Sequence, residues 1–400
     1  LTDFDVLCES QYGFRRKRST TNAVCELYLN IVNAFLANEC LLATFIDFTK
    51  AFDTIDHKIL LEKLPAYGIR GCALGWIRSY LSKRTMLVST QCNLSREITL
   101  NHYGVPQGSN LGPLLYIIYA NDLPTCLTHT QAIFYADDTT IFLRGRSHTE
   151  LARLMNIELE HVQQWCNANS LAINATKTKC ILFSASSRPH SDMCLSIGGQ
   201  AIEFVPNFKF LGIVVDERLS WKPHINELQS KLSRGLWAIR RVKHLVSYKG
   251  MLALYHALVH CHLVYGCLLW GSASENALKP LYILQKKAIR TIHNAHYNAH
   301  SAPLFAVSNV LPISSLIKFE IGKFIYLHVN STLPHNLSLI LNTHAHSHGH
   351  HTRNNLLYRP PRITSATISK NLISEANRIY STIPQPTLTL SFNAFKKVYK

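Results

Sequence analysis

"FYADDTTIF", residues 134–142, places two adjacent carboxylates, Asp137 and Asp138, inside an otherwise apolar stretch. Apolar and aromatic residues alternate on both sides of the pair, a pattern that predicts two short strands joined by a turn. Asp tolerates turn geometry and is well hydrated, so the pair could be an ordinary surface turn. The alternative is a divalent-metal site, which would need a third carboxylate from elsewhere in the chain.

Asp47 is the candidate for that third carboxylate. It ends "CLLATFID", residues 40–47, an apolar run that predicts a buried strand. An acid in this position is costly unless it is paired, solvated or bound to a cation, and a shared sheet could bring it beside the Asp pair. Carboxylate oxygens suit Mg²⁺ or Mn²⁺, and two such ions about 3.5–4 Å apart catalyse phosphoryl transfer. For Asp47 alone, a helix cap or an exposed strand end is an equal alternative.

Length and charge indicate the kind of protein and partner. The 400 residues can form more than one core, and 41 Lys and Arg against 24 Asp and Glu give a formal net charge of +17. Such a charge indicates a polyanionic partner, either nucleic acid or an acidic membrane surface. Eleven scattered cysteines without a CxxC pair predict reduced thiols and therefore an intracellular protein, in the nucleus or the cytoplasm.

Two stretches of the chain bear on secretion and on insertion into a membrane. The first residues, "LTDFDVLCES", have no secretory signal and no initial Met, so we expect a fragment or a processed piece. The stretch "MLALYHALVHCHLVYGCLLWG", residues 251–271, is long enough to cross a bilayer, but three histidines interrupt it. It predicts a buried helix and no membrane association.

The organisation changes near residue 216. Up to there, strand-like and helix-like segments alternate, which predicts an α+β body. Beyond it, apolar residues recur at steps of three and four over residues 225–242, which predicts one face of a helix. The rest of that helix is basic, and no acid occurs between Glu227 and Glu275; a solvated face is the alternative to a phosphate-binding surface. The basic residues are Lys231, Arg234, Arg240, Arg241 and Lys243.

A histidine-rich tract, "THAHSHGHHTRNN", lies in a region rich in Ser, Thr, Asn and Pro. Its histidines could bind stray zinc or nickel, but no cysteine or acid completes a defined site, so the composition favours a loop. The histidines are His344, His346, His348, His350 and His351.

Three motifs in order, "FIDFTKAFDTIDH", "GVPQGSNLGPLL" and "FYADD", resemble the palm motifs of reverse transcriptases. With "QYGFRRKRSTTNAV" before them and "LAINATKTKCILF" and "FKFLGIVVD" after them, the chain resembles the enzyme of a non-LTR retrotransposon. The resemblance implies an α+β right-hand polymerase, with partial fingers and palm over 1–216, a helical thumb over 217–330 and a partly flexible extension over 331–400.

The resemblance also implies an activity and its partners. We expect an RNA-directed DNA polymerase that extends a DNA primer on an RNA template with dNTPs and two Mg²⁺ (or Mn²⁺), with any endonuclease supplied by a missing domain or another protein. The chain departs from the family in starting after the usual Arg-Pro-Ile segment and in having "IYSTIP" where relatives often have Trp-Asn-x-Leu-Pro. The rival hypothesis is therefore a transposon relic that binds RNA or DNA without copying it.

The resemblance assigns roles to individual residues near the reaction. Asp47 and Asp137 would be the principal metal ligands, with Asp138 a weaker ligand or an orienting acid. Phe52 would lie under the incoming sugar and exclude a 2′-hydroxyl, or else it is a core phenylalanine. Nucleotide contacts of this kind are also implied for Gln107 and Gly108 beside the nascent base pair, and for Lys177 or Lys179 on the leaving pyrophosphate.

Further residues would contact nucleic acid. The turn in "KFLG" would grip the primer end through Phe210, Leu211 and Gly212, unless it is a plain strand. The basic run of the fingers would contact template phosphates or the triphosphate, unless it is a generic basic patch. That run is Arg15, Arg16, Lys17 and Arg18.

Overall fold

The computed structural model describes residues 6–90, 93–100, 102–185, 193–338 and 371–400. It divides into two compact units, the first comprising Leu1–Ala23 with Glu39–Val205 and the second comprising Val24–Asn38 with Pro206–Lys400. The three-part division into palm, thumb and extension stays a prediction. The histidine-rich tract lies outside the described residues, together with much of the predicted extension.

The first unit is built on a five-stranded sheet with the order β4–β5–β1–β6–β9. The pairs β4–β5, β5–β1 and β1–β6 are antiparallel and β6–β9 is parallel. β1 is central, and each of its residues after Cys40 is buried, as its apolar run predicts. The strands of this unit are β1 (Cys40–Ile46), β2 (Arg84–Met86), β3 (Ile98–Leu100), β4 (Gln131–Tyr135), β5 (Asp138–Gly145), β6 (Lys179–Phe183), β7 (Ser196–Ile197), β8 (Gln200–Ala201) and β9 (Glu203–Phe204).

Four of the helices contribute apolar residues to the same hydrophobic core as this sheet. Ser147 caps the longest, accepting a hydrogen bond from the Glu150 N–H, and Asp56 caps the helix that begins at His57, accepting from the Lys58 N–H at 2.8 Å. The helices are α1 (Thr20–Leu36, of which the residues from Val24 belong to the second unit), α2 (His57–Lys63), α3 (Gly71–Leu81), α4 (Gly112–Tyr119) and α5 (His148–Ala168). α5 buries residues spaced three or four apart, namely Leu151, Met155, Leu159, Val162 and Cys166.

The second unit is mostly helical and begins with a hairpin of β10 (Asn207–Phe210) and β11 (Ile213–Asp216). The predicted amphipathic helix is confirmed as α6 (Lys222–Val242), with Ile225, Leu228, Leu232, Leu236 and Ile239 buried on one face. The later helices are α7 (Tyr248–Tyr255), a π-helical turn (His256–His260), α8 (Cys261–Val264), α9 (Cys267–Trp270), α10 (Glu275–Ile292), α11 (Ser301–Val307), α12 (Ile313–Val329), α13 (His335–Ser338), α14 (Leu372–Tyr380), α15 (Gln385–Leu388) and α16 (Phe392–Tyr399).

The apolar stretch at 251–271 is buried on one side but is not one helix. It is divided into α7, the π-helical turn, α8 and α9, and Gly266 between the last two has φ 63°. The predicted buried helix therefore ends at Val264, because the left-handed conformation of Gly266 ends the helical path, and a short separate helix, α9, follows. Within the described ranges, no helix is both long and apolar enough to cross a membrane.

The predicted α+β fold class is confirmed by this mixture of sheet and helix. The cysteines in the described part of the chain are free thiols, several of them buried.

Candidate active site

The quoted Asp pair lies at a two-residue hairpin turn, as its alternating flanks predict. Tyr135 pairs with Asp138 across the end of β4 and β5, so Ala136 and Asp137 form the turn itself. Ala136 has φ 56°. Two-residue hairpin turns need a positive φ at their first position, which glycine adopts at low cost. For a residue with a Cβ, a left-handed conformation costs about 1–3 kcal/mol and persists only where the surroundings impose it.

Gln11 is the group that holds this turn. Its side chain is buried, and its Oε1 accepts hydrogen bonds from the Ala136 N–H at 3.1 Å and the Gly13 N–H at 2.8 Å. The segment carrying Gln11 runs beside β4, because the Phe134 N–H donates to the Ser10 carbonyl and the Phe134 carbonyl accepts from the Tyr12 N–H. The turn is therefore braced by a segment far away in sequence.

Gly13 allows that close approach. A Cβ added at Gly13 would lie 2.5 Å from the Ala136 nitrogen, closer than real Cβ atoms come to backbone. Sequence reasoning placed "QYGF" within a motif but missed the structural roles of Gln11 and Gly13, because the contact joins residues 125 positions apart.

The three predicted carboxylates do come together. Ile46 of β1 pairs with Thr139 of β5, so continuing the same register brings Asp47 opposite Asp138. Burial and then the Asp47 carboxylate raise the pKa of Asp137. Burial, Asp137 and Asp47 raise the pKa of Asp138 to about 6, although this side chain reaches solvent. The three acids therefore repel one another at one end of the sheet, and a cation would relieve that repulsion.

The donor chemistry fits Mg²⁺ or Mn²⁺ supplied with further ligands by a substrate. Within the described ranges, no group of three or more His, Cys, Asp or Glu side chains is arranged to hold a metal ion by itself. Mg²⁺ is commonly held by only one or two carboxylates together with substrate phosphates, so a protein-only cage is not required. Asp47 is 41% exposed at its side chain and can turn towards such an ion.

The two candidate lysines have different surroundings. The Lys177 Nζ lies 3.9 Å from Asp47 Oδ2 and its side chain is 70% exposed. The Lys179 Nζ instead donates to Glu203 Oε2 and to the Thr176 carbonyl, each at 2.7 Å. Lys177 is therefore the lysine that faces the carboxylates.

Phe52 is half-buried and stacks on Tyr116 of α4, with ring centroids 4.6 Å apart. The Tyr116 ring is fully buried, and burial followed by the Asp137 charge raises its pKa well above the ordinary tyrosine value. The stack with Tyr116 fixes the plane of the Phe52 ring and leaves part of that ring accessible. Sequence reasoning missed Tyr116, since nothing local distinguishes it from the other apolar residues of "LLYIIY".

The loop after Phe52 meets the Pro-Gln-Gly turn. Gln107 is exposed, and its Nε2 donates to Asp53 Oδ1 at 2.9 Å. Gly108 has φ 78°, and a Cβ there would meet no atom within 4 Å. Glycine is therefore needed at position 108 for its conformation, and the turn is open on its outer side.

The basic run of the fingers splits into two kinds of residue. Arg15 donates to the Cys8 carbonyl, and Arg18 is nearly buried in an ion pair with Glu9 and over the Tyr12 ring. Arg16 and Lys17 are exposed. The structure thus leaves two of the four side chains pointing to solvent.

In the second unit, the "KFLG" turn is a two-residue hairpin turn with positive φ at both Leu211 and Gly212. Phe210 is buried beneath it. The Tyr265 hydroxyl donates to the Leu211 carbonyl at 2.5 Å, and its ring lies against Gly212. Tyr265, which sequence reasoning missed, therefore fixes the tip of the hairpin.

The basic side of α6 is exposed at Arg234, Arg240 and Arg241, and Lys243 is exposed just beyond the helix. Lys231 is partly used within the protein, with its Nζ 2.8 Å from Glu227 Oε1. Sequence reasoning also missed the aromatic member of this surface, since Trp237 is 64% exposed and carries the Arg241 guanidinium over its ring.

A model of the family described as "Reverse transcriptase (RNA-dependent DNA polymerase)" matches residues 1–215. The chain belongs to the reverse transcriptase family. The match covers the acid-bearing sheet and the motifs that carry the resemblance, the last of them up to Val215, which confirms the family resemblance.

The relatives of this chain include proteins of mobile elements. It is 28% identical over 81% of its length to the "Probable RNA-directed DNA polymerase from transposon BS" of Drosophila melanogaster, covering 37% of that protein. It is 30% identical over 71% of its length to the "RNA-directed DNA polymerase from mobile element jockey" of the same organism, covering 32% of it. The chain thus spans about a third of the length of these relatives.

Among solved structures, a telomerase from Candida albicans in complex with a TWJ fragment of telomeric RNA is 10% identical, with a TM-score of 0.43. The similarity covers 78% of the present chain and 57% of the telomerase chain.

Proposed function

We propose that this chain is an RNA-directed DNA polymerase that adds deoxynucleotides to the 3′-hydroxyl of a DNA primer on an RNA template. The observation that carries the proposal is the convergence of Asp47, Asp137 and Asp138 at one end of the sheet, where burial and then the neighbouring carboxylates raise the pKa values of Asp137 and Asp138. The family match over this same segment supports a nucleotidyltransferase rather than a generic metal site.

Asp47 and Asp137 would hold two Mg²⁺ or Mn²⁺ ions, with Asp138 as a weaker ligand or orienting acid. When bound, such ions supply activation of the primer hydroxyl and stabilisation of the leaving oxygen. The chain's own contribution is position: the register of β1 with β5 fixes Asp47 opposite Asp138, and Gln11 fixes the turn that carries Asp137. The strand register and the Gln11 hydrogen bond therefore fix the positions of the carboxylates before a substrate binds.

The neighbouring side chains have defined tasks in the proposed reaction. Lys177, which faces Asp47, donates a proton to the leaving pyrophosphate, while Lys179 stays bound to Glu203. Phe52, supported by Tyr116, lies under the sugar and excludes a 2′-hydroxyl by volume. Gln107 and Gly108 border the nascent base pair, where the open side of their turn admits it.

The proposed nucleic-acid contacts belong to both units. Arg16 and Lys17 contribute exposed charge in the first unit, where Arg15 and Arg18 order the segment by contacts within the protein. In the second unit, the Phe210–Gly212 turn grips the primer end, and α6 binds duplex phosphates through its exposed cations. Mg²⁺, dNTPs, the RNA template and the DNA primer are thus the proposed cofactor and partners. The compartment in which the protein works stays a prediction.

The test is primer extension on an RNA template with Mg²⁺ and dNTPs, comparing the parent chain with Asp137→Asn. This variant removes a ligand charge with little change in volume, so extension should be abolished while binding to the primer–template stays near that of the parent. Glu160→Gln is the matched control, because it removes an exposed carboxylate on α5 outside the acid cluster.

Three outcomes contradict the proposal. Extension by Asp137→Asn within a few fold of the parent excludes the carboxylate mechanism. A parent chain that binds the primer–template but extends nothing is the relic of the rival hypothesis. Cleavage of the template instead of extension would indicate a two-metal nuclease.

A further inference from the structure

A stack of planar groups lies on the surface of the first unit, away from the three carboxylates in sequence. Trp76 and Tyr80 are one turn apart on α3, and their rings are stacked with centroids 5.7 Å apart and an interplanar angle of 10°. The Arg84 guanidinium lies over the Tyr80 ring, 5.7 Å from its centroid. We call Trp76, Tyr80 and Arg84 the aromatic ladder.

The outer end of the aromatic ladder is open to solvent. Trp76 is 57% exposed, which is unusual for the largest apolar side chain because exposure forfeits its burial free energy. A partly exposed indole whose orientation is fixed offers a face on which another planar group can stack. Tyr80 covers one face of the Trp76 ring, so the exposed part of that ring is available to a planar group of a binding partner.

The inner end of the aromatic ladder joins a groove. Arg84 and Met86 line one side of an open groove with an empty volume of about 1060 Å³, and Tyr103 and Gln107 also line it. Tyr103 is 54% exposed, so a second aromatic ring is accessible along the same path. The groove therefore runs from the Pro-Gln-Gly turn to the aromatic ladder.

The charge of this region suits a polyanion. Between residues 70 and 103 the only acid is Glu97, against the cations Arg70, Arg78, Lys83, Arg84 and Arg96. Asp53 also lines the groove, where it accepts a hydrogen bond from Gln107. Exposed aromatic rings combined with cations are the features that bind single-stranded nucleic acid, because bases stack on the rings while phosphates meet the charges. The exposed Leu87, Val88, Leu94 and Ile98 next to the groove would suit a protein partner instead, but they do not account for the cations or for the continuity with Gln107.

We propose that the groove and the aromatic ladder bind the single-stranded segment of the RNA template before it enters the active site, with bases stacking on Tyr103 and on Trp76. The inference rests on the proposed polymerase function, because it takes Gln107 as the border of the nascent base pair. It adds a template path that the carboxylates and their neighbours do not provide.

The test measures binding rather than synthesis. Fluorescence anisotropy without Mg²⁺ and dNTPs compares a blunt RNA–DNA duplex with the same duplex carrying a 5′ RNA overhang of roughly ten nucleotides, within the site sizes of single-strand-binding folds. The parent chain should bind the overhang form more tightly. Trp76→Leu should lose at least about fivefold in affinity for the overhang form, the loss expected for one stacked base, and should bind the blunt duplex like the parent.

Two matched variants make the result specific. Trp76→Phe keeps a ring that can stack, so it should retain most of the overhang preference. Tyr297→Leu removes an aromatic side chain that is 80% exposed in the other compact unit, so it should bind both forms like the parent. Thermal melting of Trp76→Leu should match the parent because the replaced ring is mostly in solvent.

Equal affinity of parent and Trp76→Leu for the overhang form overturns the inference, as does an equal loss for both forms of the duplex. The result is separable from the proposed function because no catalysis is measured. If the parent extends no primer but the Trp76-dependent preference for the overhang is present, the single-strand site stands and the polymerase proposal fails.

Discussion

Replacing Gln11 with Leu tests whether a single buried amide determines the conformation of the acid-bearing turn. Leucine has nearly the same volume but cannot accept a hydrogen bond. The Oε1 acceptor it removes serves the Ala136 N–H at 3.1 Å and the Gly13 N–H at 2.8 Å. Gln11 is only 3% exposed, so solvent has little access to the two donors that would be left.

The magnitude follows from those two donors. Each buried group left without a partner costs roughly 1–3 kcal/mol, so Gln11→Leu, which leaves two, should lower the free energy of unfolding by about 2–6 kcal/mol. Part of the effect should be local, because Ala136 has φ 56° and is free to relax to a negative φ once its N–H is released. Asp137 would then lose its fixed direction.

The assay is hydrogen exchange of the peptide that spans Ala136 and Asp137, together with chemical denaturation. Protection of the Ala136 amide should fall by at least about tenfold, the equivalent of 1.4 kcal/mol, and the Mg²⁺ concentration for half-maximal primer extension should rise. Gln164→Leu, an exposed replacement on α5, is the control and should change neither. Unchanged protection and stability in Gln11→Leu would refute the role assigned to this amide.

Three further variants, one of them a double replacement, test other residues. Phe52→Val should raise the ratio of ribonucleotide to deoxynucleotide kcat/KM by about tenfold for each 1.4 kcal/mol of steric exclusion relieved, whereas a less stable protein with an unchanged ratio would make Phe52 a packing residue. Replacing Arg240 and Arg241 together with Gln should flatten the log–log salt dependence of duplex binding by about two, and an unchanged slope would place the duplex elsewhere. Burial lowers the pKa of His224 to about 4, so the parent should lose stability as the pH falls from about 6.5 towards 4, at up to about 1.4 kcal/mol per pH unit. His224→Asn, which keeps an acceptor for the Val214 N–H, should lose less over that range by thermal melting, and an identical pH dependence would exclude His224 as the source.

Local patterns predicted the parts of the fold that local physics determines. The apolar run ending at Asp47 became the central strand, and the alternation around Asp137 became the hairpin. The caps at Asp56 and the buried face of α6 also follow from side-chain type and spacing within one or two turns. The grouping of the three acids was predicted as well, because two apolar strands of such composition pair readily in one sheet.

Contacts between distant segments could not be predicted in this way. The bond from Gln11 to Ala136 depends on how residues 10–12 lie against β4, which no local pattern encodes. The choice between Lys177 and Lys179 depends on where β6 begins, since the lysine that starts this strand meets Glu203 on β9. The break at Gly266 within an apolar stretch was likewise hidden, because hydropathy reports burial and not backbone conformation.

The two-residue length of the hairpin turn has a consequence for comparing related sequences. Side chains alternate across a strand, so inserting or deleting one residue between Tyr135 and Asp138 would move each following side chain of β5 to the opposite face, or force a bulge. A length change here would therefore disturb both the buried face of β5 and the register that brings Asp47 opposite Asp138. The spacing between Tyr135 and Asp138 is thus a feature, readable from a DNA sequence alone, that distinguishes related sequences able to assemble the three acids from those that are not.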